Sequence, residues 1–404
     1  MKTTLSITKR NAVLKRMAEL VQQEESILIS ANEKDLNSFE SGVIAMVDRL
    51  KVDKSKVVEM VSSLKKLAAL PDPLHVERFQ FTHDNGMEIS NKTAPFGTIM
   101  IIYESRPDVT IEAAGIAFKS GNKILLKGGK ESLNSNLVLV NLWHKALESC
   151  DCATDWVSYL NYSRTETQQF LENPTQKLDL IVPRGGEKLI AFVKQHAKCP
   201  VIVSGRGNNF VYVSQDADLQ MALDVIINAK TTKISACNAV DKVIISRDLP
   251  RKVEFLNHLI QTLKKHKVEI LTDAKLAGLE GTSQMEDESV WYEEFLDYKI
   301  VLGQVPNVDE AIQLINTYGG GHSASIITKN EEEADIFMQS VDTAAVYHNA
   351  STRFTDGGQF GLGGELAIST DKLHQRGPIG LQHLVTNKWY VKGNGQVREL
   401  GVRS

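Results

Sequence analysis

The sequence predicts an α/β protein with two parallel-sheet regions and a small antiparallel hairpin. Three observations predict it. From Gly97 onward, short apolar runs alternate with amphipathic segments, the pattern of βα units whose parallel sheet is covered on both faces. A second alternation of the same kind begins near Arg206. Between Phe79 and Lys92 the residues alternate around Asp84-Asn85-Gly86, and Asn-Gly in that setting is a strong hairpin signal.

The elements follow in order. Val13, Met17, Leu20 and Val21 share one helical face, with Thr8 as the expected N-cap. Val57, Met60, Val61, Leu64 and Leu67 repeat the period, and Pro71 and Pro73 stop it. In the first α/β region TIMIIY (98–103) and KILLK (123–127) read as buried strands. Segments 110–119 and 133–147 read as helices, and WVSYL, LDLIV and PVIVS read as further strands. In the second region FVYVS, KVIIS, KIVLG and SIITK are strands, separated by helices over 221–229, 253–263 and 308–316. The tail TNKWYVKGNGQVREL reads as one or two strands able to pair with the hairpin.

Composition narrows the class. The chain has 404 residues and is 42% hydrophobic, enough to bury more than one core. Its net charge of -4 offers no electrostatic case for nucleic acid or an anionic membrane. The start, MKTTLSITKRNAV, has no apolar signal-peptide core, and no run approaches a membrane span. Four cysteines in so long a chain do not make a disulfide framework, which points to a cytoplasmic location. The isolated Cys150-x-Cys152 pair has no second pair nearby, so no metal site is expected.

Cys237 is the most informative residue. It sits in NAKTTKISACNA, a run of small and polar residues between two hydrophobic stretches, whereas a cysteine kept for packing normally sits inside an apolar run; the residues alone fit either a nucleophile or a small buried residue at a strand edge. A reactive thiol there needs access and a nearby cation or helix end, and Lys230 and Lys233 are its neighbours in sequence. Pro183-Arg184-Gly185-Gly186 lies at a strand-to-helix turn, where glycines let a phosphate approach backbone N–H groups, or simply make the turn tight. Lys127-Gly128-Gly129-Lys130 follows another strand, at the sheet edge where open α/β proteins bind ligands. Ser105 and Arg106 end the strand TIMIIY and are candidates for a site wall. His322 and His348 are possible acid–base groups, but a lone histidine is as readily structural, and neither is assigned a role.

The blocks IIYESRPDVT, LLKGGKES, VPRGGE, NAKTTKISACNAV, NTYGGGHSASIIT and HNASTRFTDGGQFGLGGELAISTDKLHQRGPIGL closely resemble the γ-glutamyl phosphate reductase (glutamate-5-semialdehyde dehydrogenase) family, part of the aldehyde dehydrogenase superfamily. The resemblance covers nearly the whole chain. It implies an aldehyde dehydrogenase-like fold: a Rossmann-type cofactor domain over 1–77 and 93–205, an α/β catalytic domain over 206–380, and oligomerisation elements at 78–92 and 381–404. It implies NADPH-dependent reduction of L-glutamyl 5-phosphate in proline biosynthesis, a homo-oligomer, and functional coupling to glutamate 5-kinase.

On this resemblance Cys237 matches the superfamily nucleophile and Lys127 the cofactor-ribose lysine, with Gly128, Gly129 and Lys130 beside it. Arg184, Gly185 and Gly186 match the pyrophosphate turn. Ser105 stands where the superfamily has its oxyanion asparagine, and the hydrolytic glutamate is missing from SGRGNN (204–209). Arg106, Asn349, Ser351, Thr352 and Arg353 are candidates for the substrate. A reductase of acyl phosphates must spare its thioester from water, so loss of the base favours that activity over a hydrolytic NAD(P)-dependent aldehyde dehydrogenase. A thiol acyltransferase and a non-catalytic scaffold are the remaining alternatives.

Overall fold

The computed structural model of the chain describes residues 4–40, 44–372 and 375–398, with the side chains of 44 and 45 excepted. Leu373 and His374, within the last block quoted above, lie outside the described residues.

A four-stranded parallel sheet carries the first α/β region. Its spatial order is Val157–Tyr159, Lys123–Gly128, Thr98–Tyr103 and Leu180–Arg184. Alternate residues of these strands face opposite layers. Ile99, Ile101, Ile124 and Leu126 pack against the helices Ile7–Gln23, Lys54–Ala69, Val109–Lys119 and Leu133–Glu148. Met100, Ile102, Leu125 and Ile181 pack against Phe170, Leu171 and Val193, from the helices Arg164–Glu172 and Glu187–His196. The chain order reverses beside Thr98–Tyr103, so the carboxyl ends of that strand and of Leu180–Arg184 flank a topological switch point.

A seven-stranded parallel sheet carries the second region. Its central strands are Lys299–Val305, Val240–Ser246, Asn209–Val213 and Ser323–Ile327. Val211, Val243, Ile245 and Leu302 form one core with the helices Leu219–Thr231 and Lys252–Lys265. Phe210, Tyr212, Ile244 and Ile326 form the other with the helices Val308–Tyr318 and Glu331–Ser340.

The hairpin is present, as Glu77–Thr82 and Glu88–Pro95 joined by a turn in which Gly86 has φ 85°. The tail supplies one strand, Val385–Lys392, which pairs antiparallel with Glu88–Pro95 and sets Trp389 opposite Asn91.

Three expectations need correction. Ser6, not Thr8, caps the first helix, its hydroxyl accepting from the N–H of Lys9 at 3.3 Å. PVIVS is no strand; only Val201 bridges, to Ile181, because the chain leaves there to cross to the other sheet. The strand expected over SIITK begins two residues earlier, at Ser323.

Candidate active site

Cys237 lies in the turn between the helix Leu219–Thr231 and the strand Val240–Ser246. Two asparagines clamp that turn. The Asn209 amide donates to the carbonyl oxygens of Cys237 and Ala239, each at 2.7 Å. The Asn238 amide donates to the carbonyls of Arg353, at 3.2 Å, and Thr355, at 2.9 Å. Gly207 presses against the same turn; a β-carbon there would meet the Cys237 carbonyl oxygen at 2.0 Å. Glycine is therefore a packing requirement at 207.

The sulfur opens into a cleft of about 560 Å³, between the carboxyl edge of the small sheet and the amino ends of the central strands of the large one. Arg49, Arg106, Arg184 and Arg353 line it, together with Glu294 and Glu365. The Nε atoms of Arg49, Arg106 and Arg184 are buried without a hydrogen-bond partner among the described residues. Such groups are costly unless an anion meets them.

Burial pushes the Cys237 thiol up to about 11; Glu365 adds to this, while Arg184 opposes it. Burial also raises Glu365, against Arg184 and the N–H of Gly357, and raises Glu294 to about 7. The resting sulfur is thus a neutral thiol, not the lowered thiolate that a reactive cysteine was expected to be. Lys230, one of its neighbours in sequence, is fully buried and committed to Asp241 at 2.8 Å. His322 is fully buried behind the sulfur, with Nε2 3.3 Å from Cys237 Sγ. Burial holds its imidazole down to about 4, so it is neutral.

The other candidates separate into two groups. Ser105, Arg106, Arg184, Gly185, Gly186 and Arg353 line the cleft with Cys237. The Ser105 hydroxyl, however, is given to Glu131 at 3.0 Å, and the Ser105 N–H is given to the same carboxylate at 2.6 Å. Asn349, Ser351 and Thr352 do not line the cleft. Asn349 braces Thr328 through both its amide oxygen and nitrogen, Ser351 caps a short turn through Arg353 N–H, and Thr352 donates to the carbonyl of Asn238 at 2.8 Å. Their polar groups are spent on holding the cysteine turn and the adjoining strand ends. His348 is likewise occupied, with Nε2 3.0 Å from the carbonyl of Thr328. Arg49, Glu294 and Glu365 were missed in the sequence; no local pattern marks them, and only the fold brings them to the sulfur.

A nicotinamide cofactor fits the residues beside the cleft. The Gly185-Gly186 turn opens the helix Glu187–His196, and the Gly186 N–H already donates to a carboxylate, that of Glu104, at 3.0 Å. A β-carbon at Gly185 would meet that carboxylate oxygen at 2.3 Å, so the turn admits an acidic group only because it lacks a side chain. Lys127, Gly128, Gly129 and Lys130 lie along the same sheet edge, outside the cleft. Lys127 Nζ donates to the Gly128 carbonyl at 2.7 Å, and burial lowers its pKa.

The aldehyde dehydrogenase family model matches residues 2–285 and 285–389. Over 392 residues the chain is 41% identical to the γ-glutamyl phosphate reductase of Clostridium perfringens strain ATCC 13124, covering 96% of this chain and 94% of that one. The chain belongs to the γ-glutamyl phosphate reductases of the aldehyde dehydrogenase family. It is 40% identical to the γ-glutamyl phosphate reductase of Dictyoglomus thermophilum, over 98% of this chain and 95% of that one. The crystal structure of the Thermotoga maritima γ-glutamyl phosphate reductase superposes with a TM-score of 0.91 at 39% identity, covering 98% of this chain and 95% of that one. An acetylating aldehyde dehydrogenase from Geobacillus thermoglucosidasius, at 16% identity and a TM-score of 0.70, shares the fold, covering 98% of this chain and 94% of that one. The family uses a nicotinamide cofactor, in keeping with the fit described above. Among the described residues no helix is long and apolar enough to cross a membrane, and no cluster of His, Cys, Asp and Glu could hold a metal ion.

Proposed function

We propose that the protein reduces L-glutamyl 5-phosphate to L-glutamate 5-semialdehyde with NADPH, releasing phosphate, as a cytoplasmic enzyme of proline formation. The observation that carries this reading is the ring of arginines around a single thiol. Arg49, Arg106 and Arg184 line the cleft that holds Cys237, with Arg353. A substrate with a phosphoryl group and an α-carboxylate would meet them; a simple aldehyde would not. The names of the relatives at about 40% identity support the same substrate.

Cys237 Sγ attacks the acyl carbonyl, and the C–O bond to phosphate breaks to leave a thioester. The backbone N–H of Cys237 is the donor for the tetrahedral oxyanion, since the Ser105 hydroxyl is already given to Glu131. Arg106 and Arg184, whose charges act on Cys237, hold the phosphoryl group as it departs. When bound, the nicotinamide supplies a hydride to the thioester carbon. Collapse of the resulting thiohemiacetal then frees the aldehyde and the sulfur. The segment 204–209 brings no carboxylate to the thioester. Glu365 does line the cleft, but it accepts from the Gly357 N–H at 3.0 Å and lies under the charges of Arg184 and Arg106.

The test is oxidation of glutamate semialdehyde with NADP, with and without inorganic phosphate. Turnover is expected only with phosphate, because phosphate must release the acyl group. Sustained turnover to free glutamate without phosphate would overturn the reading in favour of the hydrolytic dehydrogenase.

A further inference from the structure

A neutral thiol set among arginines and carboxylates still has to lose a proton before or during attack. Of the groups near Cys237 Sγ, His322 makes the one hydrogen bond to the sulfur found among the described residues, at 3.3 Å. The arginines are already protonated and have no lone pair to offer. Glu365 and Glu294 act on the sulfur only through space, and each raises the thiol's pKa.

The position of His322 is built by its surroundings. Gly319-Gly320-Gly321 precedes it, and a β-carbon at Gly320 would meet the Arg206 carbonyl oxygen at 1.9 Å. This close pass brings the start of strand Ser323–Ile327 against the segment that leads to Gly207 and the cysteine turn. The imidazole is fully buried, and its second nitrogen, Nδ1, lies 2.8 Å from Ser323 Oγ. Ser323 Oγ is 2.6 Å from Thr355 Oγ1, which is 2.7 Å from the Tyr347 hydroxyl. A hydrogen bond from Nδ1–H to Ser323 leaves the Nε2 lone pair facing the thiol. The chain of hydroxyls behind it holds the ring in that orientation, as the carboxylate does in a serine hydrolase triad.

We propose that His322 is a catalytic residue, whose Nε2 takes the proton of Cys237 as the carbon–sulfur bond forms and gives it back to the sulfur when the product leaves. The step balances. The S–H bond breaks as the S–C bond forms, the imidazole holds the proton, and the phosphate leaves as its C–O bond breaks, taking its own proton from solvent in the cleft. The thiolate released at the end of the cycle takes its proton back from the imidazolium, which restores the resting pair. Ser323, Thr355 and Tyr347 are positioning residues.

This inference rests on the acyl phosphate reading, and its test separates the two. His322→Gln is the informative variant. Its amide can donate to sulfur from about the place of Nε2, so it preserves the contact but cannot accept a proton. In semialdehyde oxidation with NADP and phosphate, kcat is expected to fall about 100-fold, with KM and NADP affinity little changed. His322→Ala is expected to regain part of its kcat from added imidazole. If the Gln variant keeps more than about a third of kcat, the proposal is overturned and His322 is structural. If neither variant folds, the wild-type enzyme decides, through alkylation of Cys237 by iodoacetamide in light and heavy water. Proton removal during attack makes the reaction slower in heavy water. An equal or faster rate there, the mark of a preformed thiolate, overturns the proposal. Failure of the wild-type enzyme to oxidise glutamate semialdehyde at all would instead sink the proposed function.

Discussion

Gly207 faces the carbonyl of Cys237 so closely that a β-carbon would stand 2.0 Å from its oxygen and 2.7 Å from its α-carbon. Both are backbone atoms, so no side chain can swing aside to make room. Gly207→Ala is expected to displace the cysteine turn, lowering kcat at least tenfold and stability by ~1–3 kcal/mol. Steady-state kinetics and denaturant unfolding measure the two effects. Wild-type kcat in this variant would mean that the turn can move without consequence.

Cys237→Ser is expected to abolish turnover while NADPH still binds. A hydroxyl is far harder to ionise than a thiol, and the cleft already disfavours an anion at this position. Cofactor titration and the semialdehyde assay check it. Retention of more than about a tenth of activity, equivalent to ~1.4 kcal/mol in barrier, would remove the sulfur from the chemistry.

Lys230 and Asp241 are buried together, and the second Asp241 oxygen accepts from the Phe295 N–H at 2.9 Å. Lys230→Met is expected to cost ~3–5 kcal/mol, because it leaves a carboxylate buried without its cation. It should also loosen the segment carrying Glu294 into the cleft. The midpoint of denaturant unfolding is the measurement, and a change below about 1 kcal/mol would contradict the assignment.

NADPH is expected to exceed NADH in kcat/KM. On the proposed reading Lys127 and Lys130 are cations beside the cofactor, and the exposed Lys130 would meet a 2′-phosphate, although Glu131 beside it opposes that charge. Lys130→Gln should narrow the preference a few-fold. Equal efficiency with the two cofactors would place this loop elsewhere in the complex.

The three-stranded sheet is expected to be a subunit contact. Among the described residues its outer strands, Glu77–Thr82 and Val385–Lys392, leave their edges unpaired, and Phe79, Phe81, Trp389 and Val391 are all exposed on it. Phe79 and Trp389 pack edge to face, 5.8 Å apart. Replacing both with glutamate should lower the mass seen by sedimentation. A wild-type monomer, or an unchanged oligomer in the variant, would refute the contact.

Much of the fold was legible because it is written locally. TIMIIY could only be a buried strand, and Asp84-Asn85-Gly86 could only be a tight turn between alternating segments. The helix Glu25–Asn37 was missed because its apolar residues trace no clear stripe; Leu28 and Ala31 are buried, but so are Asn32 and Asp35, which bond to neighbouring segments. The thiol was legible because small polar residues surround it. Its environment was not, since Arg49 comes from the amino-terminal helices and Glu365 from a glycine-rich turn near the far end. Asn349, Ser351 and Thr352 show the converse error. They stand close in sequence to Arg353, which does line the cleft, but their side chains turn inward to brace it.

The cleft is lined from Arg49 to Glu365, and this span governs when activity can arise during synthesis. A growing chain that has just released Cys237 has all the strands of the small sheet, yet it lacks His322, Glu365 and every strand of the large sheet except Asn209–Val213. Contacts closed over such distances along the chain form late and slowly. The thiol is therefore exposed to oxidants and to wrong partners until nearly the last residues have emerged. A chain cut between residues 237 and 365 would carry the cysteine without a complete cleft around it, an unguarded thiol in place of an enzyme.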